Sequence, residues 1–175
     1  VRNADGTVST PESFRAAYAK LVESGWTSVP FPEEFDGGGF PWTIGLAIQE
    51  LLQTSSLAFA LAPLLTQGAI DALLHYGSDE QKAVYLPRMV SGEWTGTMNL
   101  TEPSAGTDVG ALTTKAVPNG DGSYAITGQK IFITFGEHPF TDNIVHLVLA
   151  RTPDAPTGTK GISLFIVPKF LVNDD

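Results

Sequence analysis

The chain has 175 residues, 42% of them hydrophobic, which is enough to bury a sizeable core. Its formal net charge is −9, from 10 Lys and Arg against 19 Asp and Glu with no basic run, so nucleic acid and anionic membranes are poor partners. The absence of cysteine excludes disulfides, zinc–cysteine sites and thiol catalysis, and fits a reducing compartment such as the cytoplasm.

Val1 to Ser9 is polar and carries no signal-peptide pattern, and the first residue is not Met, so the chain reads as processed or as part of a longer protein. Thr10 is placed to N-cap a helix with Pro11 at its first position. Phe14, Ala17, Tyr18, Leu21 and Val22 then form one apolar stripe, and Gly25 is a fitting stop. A Pro- and Gly-rich loop runs from Pro30 to Pro41. The spacing predicts helices over Trp42–Thr54 and Leu57–Tyr76, with Pro63 blurring the start of the second. The apolar region from Ile44 to Leu74 is interrupted by Gln49, Glu50, Gln53, Pro63, Gln67 and Asp71, so it lacks the ~20 apolar residues of a membrane span. Ser78-Asp79-Glu80-Gln81 resembles a capping box opening another helix, which Pro87 should end or kink.

After Gly92 the period changes to two. In Trp94–Thr101, Thr95, Thr97, Asn99 and Thr101 share one face, and Trp94, Met98 and Leu100 the other. Ala111–Val117 alternates more weakly, and Asn119-Gly120-Asp121-Gly122 is a strong hairpin signal. Tyr124–Thr127, Gln129–Thr134, Ile144–Arg151 and Gly161–Pro168 are further strand candidates. Strands without intervening helices predict an antiparallel sheet or barrel.

Two stretches could carry chemistry. Thr101-Glu102-Pro103-Ser104-Ala105-Gly106-Thr107-Asp108 follows a strand and is dense in small residues and hydroxyls, so its N–H groups could approach an anion, although taken alone an ordinary turn is the favoured reading. It has neither the Walker lysine nor the Rossmann spacing. In Gln129–Thr134, period two puts Phe132 and Thr134 on one face, suited to a flat heteroaromatic ligand, or simply to a half-buried strand. His75, His138 and His146 lack metal-ligand spacing, so no metal is expected. Glu102 is a candidate general base, although a lone loop carboxylate is more often a structural acceptor.

Met98 to Asp108 resembles the acyl-CoA dehydrogenase signature aromatic-x-x-T-E-P-x-A-G-S-D. Gly128 to Thr134 is similar to the second signature, G-x-K-x-W/F-I-T/S. Gly77 to Lys82, Tyr85-Leu86-Pro87 and Ser91-Gly92-Glu93 resemble an upstream segment of the family, and Gly161 to Pro168 its late strand. The resemblance covers nearly the whole chain and is weakest before Gly25. Met98, Phe132 and Thr107 depart from the usual aromatic, Trp and Ser.

The resemblance implies an α+β multidomain fold: a partial helical N-terminal domain (1–93), then a small antiparallel β-barrel (94–175), with the family's C-terminal four-helix domain absent. It implies FAD as cofactor and an acyl-CoA substrate, oxidised to trans-2-enoyl-CoA by α-proton abstraction and β-hydride transfer. It further implies an electron-transfer flavoprotein or similar acceptor, a homo-oligomer and a cytoplasmic place in fatty acid β-oxidation. Thr101 matches the residue at the flavin's pyrimidine edge, beside the strand supplied by Met98 and Leu100. Gly106 and Thr107 match the pair near the FAD diphosphate, with Thr107 also near the acyl-CoA arm. Phe132 and Ile133 lie against the isoalloxazine, and Thr134 is the hydroxyl near its N5. The catalytic base belongs to the absent domain, so no catalytic residue is assigned. The Pro30–Trp42 region and the terminal Lys169–Asn173 resemble a larger bacterial branch that includes long-chain and 3-methylmercaptopropionyl-CoA dehydrogenases. Other enzymes on this scaffold, nitroalkane oxidase and flavin-dependent monooxygenase, stay open, as does a non-catalytic acyl-CoA- or partner-binding module.

Overall fold

The computed structural model describes residues 1–172; Asn173 and the last two residues of the expected second domain lie outside the described residues. Helix α1 spans Glu12–Glu23, α2 Trp42–Tyr76 and α3 Asp79–Ser91. Five strands follow or interleave with loops: β1 Trp94–Asn99, β2 Lys115–Pro118, β3 Tyr124–Thr127, β4 Asn143–Ala150 and β5 Ser163–Pro168.

Local chemistry explains the helix ends. Pro11, not Thr10, occupies the N-cap of α1, and no side chain caps it. At the other end the Trp26 amide donates to Leu21 O at 3.2 Å and the Gly25 amide to Val22 O at 2.9 Å. With Gly25 at φ +73°, this is the paired closure that a C′ glycine permits. The two predicted central helices form one element broken at Ser56 (φ −162°, ψ 98°). Ser56 Oγ accepts from the Phe59 amide, so a serine caps the second half from within. Ser78 and Gln81 form the expected capping box on α3. Pro87 does not end α3, which continues to Ser91 and closes on Gly92 at φ +87°.

By length and composition α2 could cross a membrane, with mean hydropathy 1.6 over its most apolar 18 residues. Here it is a core helix. Ala69, Ile70 and Leu73 join Leu86, Met89 and Val90 of α3 and Trp94, Val145 and Leu147 of the sheet in one buried cluster. Gly96 makes that contact possible. A Cβ there would overlap the Ala69 methyl and Met89 Cε, and the Gly96 amide donates to Thr66 Oγ1 on α2 at 3.0 Å.

The sheets depart from an all-antiparallel barrel. β4 is central, parallel to β1 and antiparallel to β5, while β2 and β3 form a separate antiparallel hairpin. One isolated bridge, Lys115 to Arg151, joins the hairpin to the end of β4, and no closed barrel exists among the described residues. A parallel β1–β4 pair needs a long crossover. Residues 100–142 supply it, and they contain both signature stretches.

Period two holds in β1. Trp94, Gly96 and Met98 face the helices, while Thr95 and Thr97 are buried on the other face against His138 and His146. Gln129–Thr134 is not a strand. It is an irregular segment in which Phe132 (φ 57°) and Phe135 (φ 50°) adopt left-handed backbone.

Candidate functional site

Where β1 ends, Leu100 and Thr101 lead into a tight turn closed by reciprocal backbone bonds between Glu102 and Ala105, at 3.0 and 3.1 Å. Pro103 and Ser104 sit exposed at its tip, but the Glu102 side chain folds inward and the residue is only 3% exposed. Its carboxylate accepts from the Thr113 amide (2.7 Å) and hydroxyl (2.8 Å), the Thr114 amide (3.0 Å) and hydroxyl (2.5 Å), and Lys130 Nζ (2.9 Å). Burial alone would raise the Glu102 pKa. The donors from Thr114, Thr113 and Lys130 outweigh it and hold the carboxyl at about 2. A carboxylate saturated in this way is a poor proton acceptor, so Glu102 is a structural anchor and not a base.

Lys130 closes the other side. Its ammonium also donates to Leu100 O at 3.0 Å, and the next amide, Ile131, donates to Thr101 O at 3.0 Å. The two signature stretches are thus one unit, pinned by a buried ion pair. Gly128 is required for it: a Cβ there would overlap Thr114, which serves Glu102.

A second pin holds the far side of the Phe132 segment. His138, 2% exposed, lies with Nε2 2.9 Å from Thr95 Oγ1 on β1, and its Nδ1 accepts from the Phe140 amide at 3.2 Å. That leaves Nε2 as the protonated nitrogen, donating to Thr95. Burial pushes the His138 pKa down to about 4, against a smaller opposing pull from Glu137. Its ring packs on Phe140, which in turn stacks on Tyr18 of α1.

Between the pins, Phe132 stands 89% exposed on its strained backbone, Thr134 is exposed, and Ile131 and Ile133 are half-buried. The expected alternation of faces survives without a strand. Met98 packs against the helical core, Leu100 and Thr101 are half-buried, and Gly106 and Thr107 are exposed beyond the turn. Direct hydrogen bonds join Leu100–Thr101 to Lys130–Ile131; Gly106 and Thr107 connect to them only through the Glu102 turn.

The donor set fits a flat ligand with a polar rim. Thr113 and Thr114 spend their hydroxyls on Glu102, whereas those of Thr101, Thr107 and Thr134 make no hydrogen bond among the described residues. Gly106 is not in left-handed backbone, and a Cβ there would meet nothing within 4 Å. Nothing among the described residues therefore demands a glycine at this place. A separate cleft lies between Tyr76, Tyr85, Tyr124 and Phe165, and no residue of the two signatures lines it. Among the described residues no three metal-ligating side chains converge.

From sequence, the Thr113–Thr114 pair and Arg151 have no role, the charge of Lys130 is passed over within its signature, and His138 is set aside as a metal ligand. One signal existed: a lone Lys in an apolar Ile-Phe-Ile run and a lone Glu in a loop of small residues are complementary buried charges.

Comparison with known proteins matches residues 2–93 to the acyl-CoA dehydrogenase N-terminal domain and residues 97–173 to the acyl-CoA dehydrogenase middle domain. The chain belongs to the acyl-CoA dehydrogenase family. It is 54% identical over 170 residues to 3-methylmercaptopropionyl-CoA dehydrogenase of Ruegeria pomeroyi, which covers 97% of this chain and 29% of that relative. Butyryl-CoA dehydrogenase from Megasphaera elsdenii matches its fold with TM-score 0.77 and 28% identity, covering 93% of this chain and 41% of that one. A chain from structural work on the electron transferring flavoprotein of Acidaminococcus fermentans gives TM-score 0.79 and 35% identity, covering 89% and 40%.

Proposed function

We propose that these residues form the flavin- and thioester-facing wall of an FAD-dependent acyl-CoA dehydrogenase. The observation that carries this is the Glu102–Lys130 pin, which ties Leu100–Thr101 to Lys130–Ile131 beside an exposed Phe132 ring, with the hydroxyls of Thr101, Thr107 and Thr134 unbonded among the described residues. Thr101 and Thr134 would hold the polar rim of the flavin, Phe132 and Ile133 its face beside Met98 and Leu100, and Gly106 and Thr107 the diphosphate and the acyl-CoA arm. When bound, the flavin supplies acceptance of hydride from the β-carbon of the thioester. The α-proton needs a carboxylate that titrates near neutrality. Glu102 does not provide one, so the base comes from outside these residues. The similarity to a chain from work on an electron transferring flavoprotein favours such a protein as electron acceptor. The 54% identity to the R. pomeroyi enzyme favours a small or sulfur-containing acyl thioester as substrate.

Gly106→Val tests the reading. With open space around the position, stability should change by no more than about 0.5 kcal/mol, while flavin content and acyl-CoA affinity fall. Normal flavin content and affinity in the purified variant would refute the assignment. In a complete family enzyme carrying these residues, Thr134→Val should slow flavin reduction by substrate in stopped flow without lowering the melting temperature.

A further inference from the structure

Arg151, at the exit of β4, has an unusual set of partners. Its guanidinium donates only to backbone carbonyls: Nε to Leu112 O (3.2 Å), Nη1 to Pro156 O (3.0 Å), and Nη2 to both Gly110 O (2.5 Å) and Gly158 O (2.8 Å). It makes no ion pair among the described residues. Its own backbone joins the same region, donating to Thr114 O at 2.9 Å and accepting from Ala116 at 2.8 Å.

One peptide lies between two charges. The carbonyl of Leu112 faces the Arg151 guanidinium, and the amide of the same peptide, on Thr113, donates to Glu102 at 2.7 Å. The peptide dipole therefore runs from the carboxylate to the guanidinium in its favourable sense, and each charge strengthens the bond to the other. Glu102 is thus paired with Lys130 by contact and linked to Arg151 through the Leu112–Thr113 peptide.

We infer that Arg151 is a positioning residue for the segment Gly106–Thr114, setting the part of the site that receives the diphosphate and the acyl-CoA arm. The role rests on the flavin reading given above. Lys130 ties Glu102 to the Phe132 segment and so to the flavin ring; Arg151 ties it to the turn of helix at Val109–Ala111, which directly follows Thr107 and Asp108. The two cations divide the site. Losing Arg151 loosens ligand binding while leaving the reacting end of the flavin in place, because none of its bonds reaches residues 130–138. A lysine cannot replace it, since one ammonium has three donors at a point and cannot span four carbonyls held by a planar fork.

The test uses Arg151→Ala and Arg151→Lys, with Leu73→Ala in the core as a control matched for loss of melting temperature. The first readout is amide hydrogen exchange of residues 106–114 in flavin-free protein. The second, read in a complete family enzyme carrying these residues, is the dissociation constants of FAD and acyl-CoA, set against the flavin reduction rate at saturating substrate. Both Arg151 variants should speed exchange in 106–114 and weaken binding by about tenfold or more, with the saturated reduction rate held within about twofold. Millimolar guanidinium should partly restore Arg151→Ala and leave Leu73→Ala unchanged. Unaltered exchange in 106–114, or the same change in the control, overturns the inference. Accelerated exchange that guanidinium reverses, in a protein that takes up no flavin even as wild type, leaves the positioning role standing and removes the flavin reading instead.

Discussion

Glu102 and His138 are both buried and titratable, and both pin the candidate site, so acid should release it in two windows. His138 is held near 4 against an ordinary 6.5, so the unfolded chain binds its proton first; its contribution is complete above about pH 6.5 and is lost as pH falls towards 4. Burial also lowers the His146 pKa and adds to the same window. Glu102 is held near 2 against 4.5, so its contribution is present above about pH 4.5 and is lost as pH falls towards 2. His138→Gln keeps a donor to Thr95 without titrating. It should make the decline in denaturant stability between pH 6.5 and 4 shallower by up to about 3 kcal/mol, leaving the share of His146. An unchanged slope would mean that His138 is not buried as described. Glu102→Ala leaves the Lys130 ammonium buried without its partner and should cost about 3–5 kcal/mol at pH 7, read from urea unfolding. These pins mark the limit of what the sequence revealed. The motifs drew attention to the two stretches that the fold joins, Lys130 included. The Thr113–Thr114 donors and the bond from Lys130 to Glu102 were not legible, because a hydrogen-bond network is a property of chain segments that meet only after folding.

The helices were legible because their determinants are local: the Ser78–Gln81 box, Gly25 at the end of α1, and the two apolar stretches on either side of Ser56. Pro87 misled because a proline late in a short helix loses one hydrogen bond and need not end the element when Leu86, Met89 and Val90 are fully buried around it. The strand expected at Gln129–Thr134 failed for a different reason. Its edges are taken up by Lys130 and Ile131 bonding back to Leu100 and Thr101, and Phe132 turns left-handed between them. Parallel pairing of β1 with β4 was invisible, since alternation specifies faces and not partners. The helix–sheet contact can be tested at Gly96. Gly96→Val forces a side chain against Ala69 and Met89, where backbone shifts are needed, and should destabilise by about 1–3 kcal/mol or more. A melting temperature equal to wild type would mean that α2 and β1 do not approach as described.

The described residues form two buried apolar clusters, one of α2, α3 and the sheet and one around Tyr18, Leu21 and Phe59, yet large apolar side chains stand outside both. Leu46 and Leu51 on α2 are 66% and 69% exposed, and Leu57, Ile44, Trp42 and Phe40 lie on or beside the same helix, also exposed. Single exposed apolar residues are ordinary, but several on one element form a surface that water covers poorly. The chain spans 29% of the length of the R. pomeroyi relative. The only buried carboxylate at the candidate site is committed to five donors and held near 2. A base that must be free to accept a proton near neutrality has no counterpart among the described residues of that site. Holding base and substrate in register supplies about 7–11 kcal/mol of a barrier. Residues 1–175 by themselves should therefore give no dye reduction with FAD and a panel of acyl-CoA thioesters, should bind FAD weakly, and should self-associate as concentration rises, read by sedimentation velocity. Replacing Leu46 and Leu51 with Gln should reduce the association without changing the fold. Turnover by residues 1–175 comparable with that of a complete family member would place the base within them, and the division of labour proposed for Glu102 and the residues outside this chain would have to be abandoned.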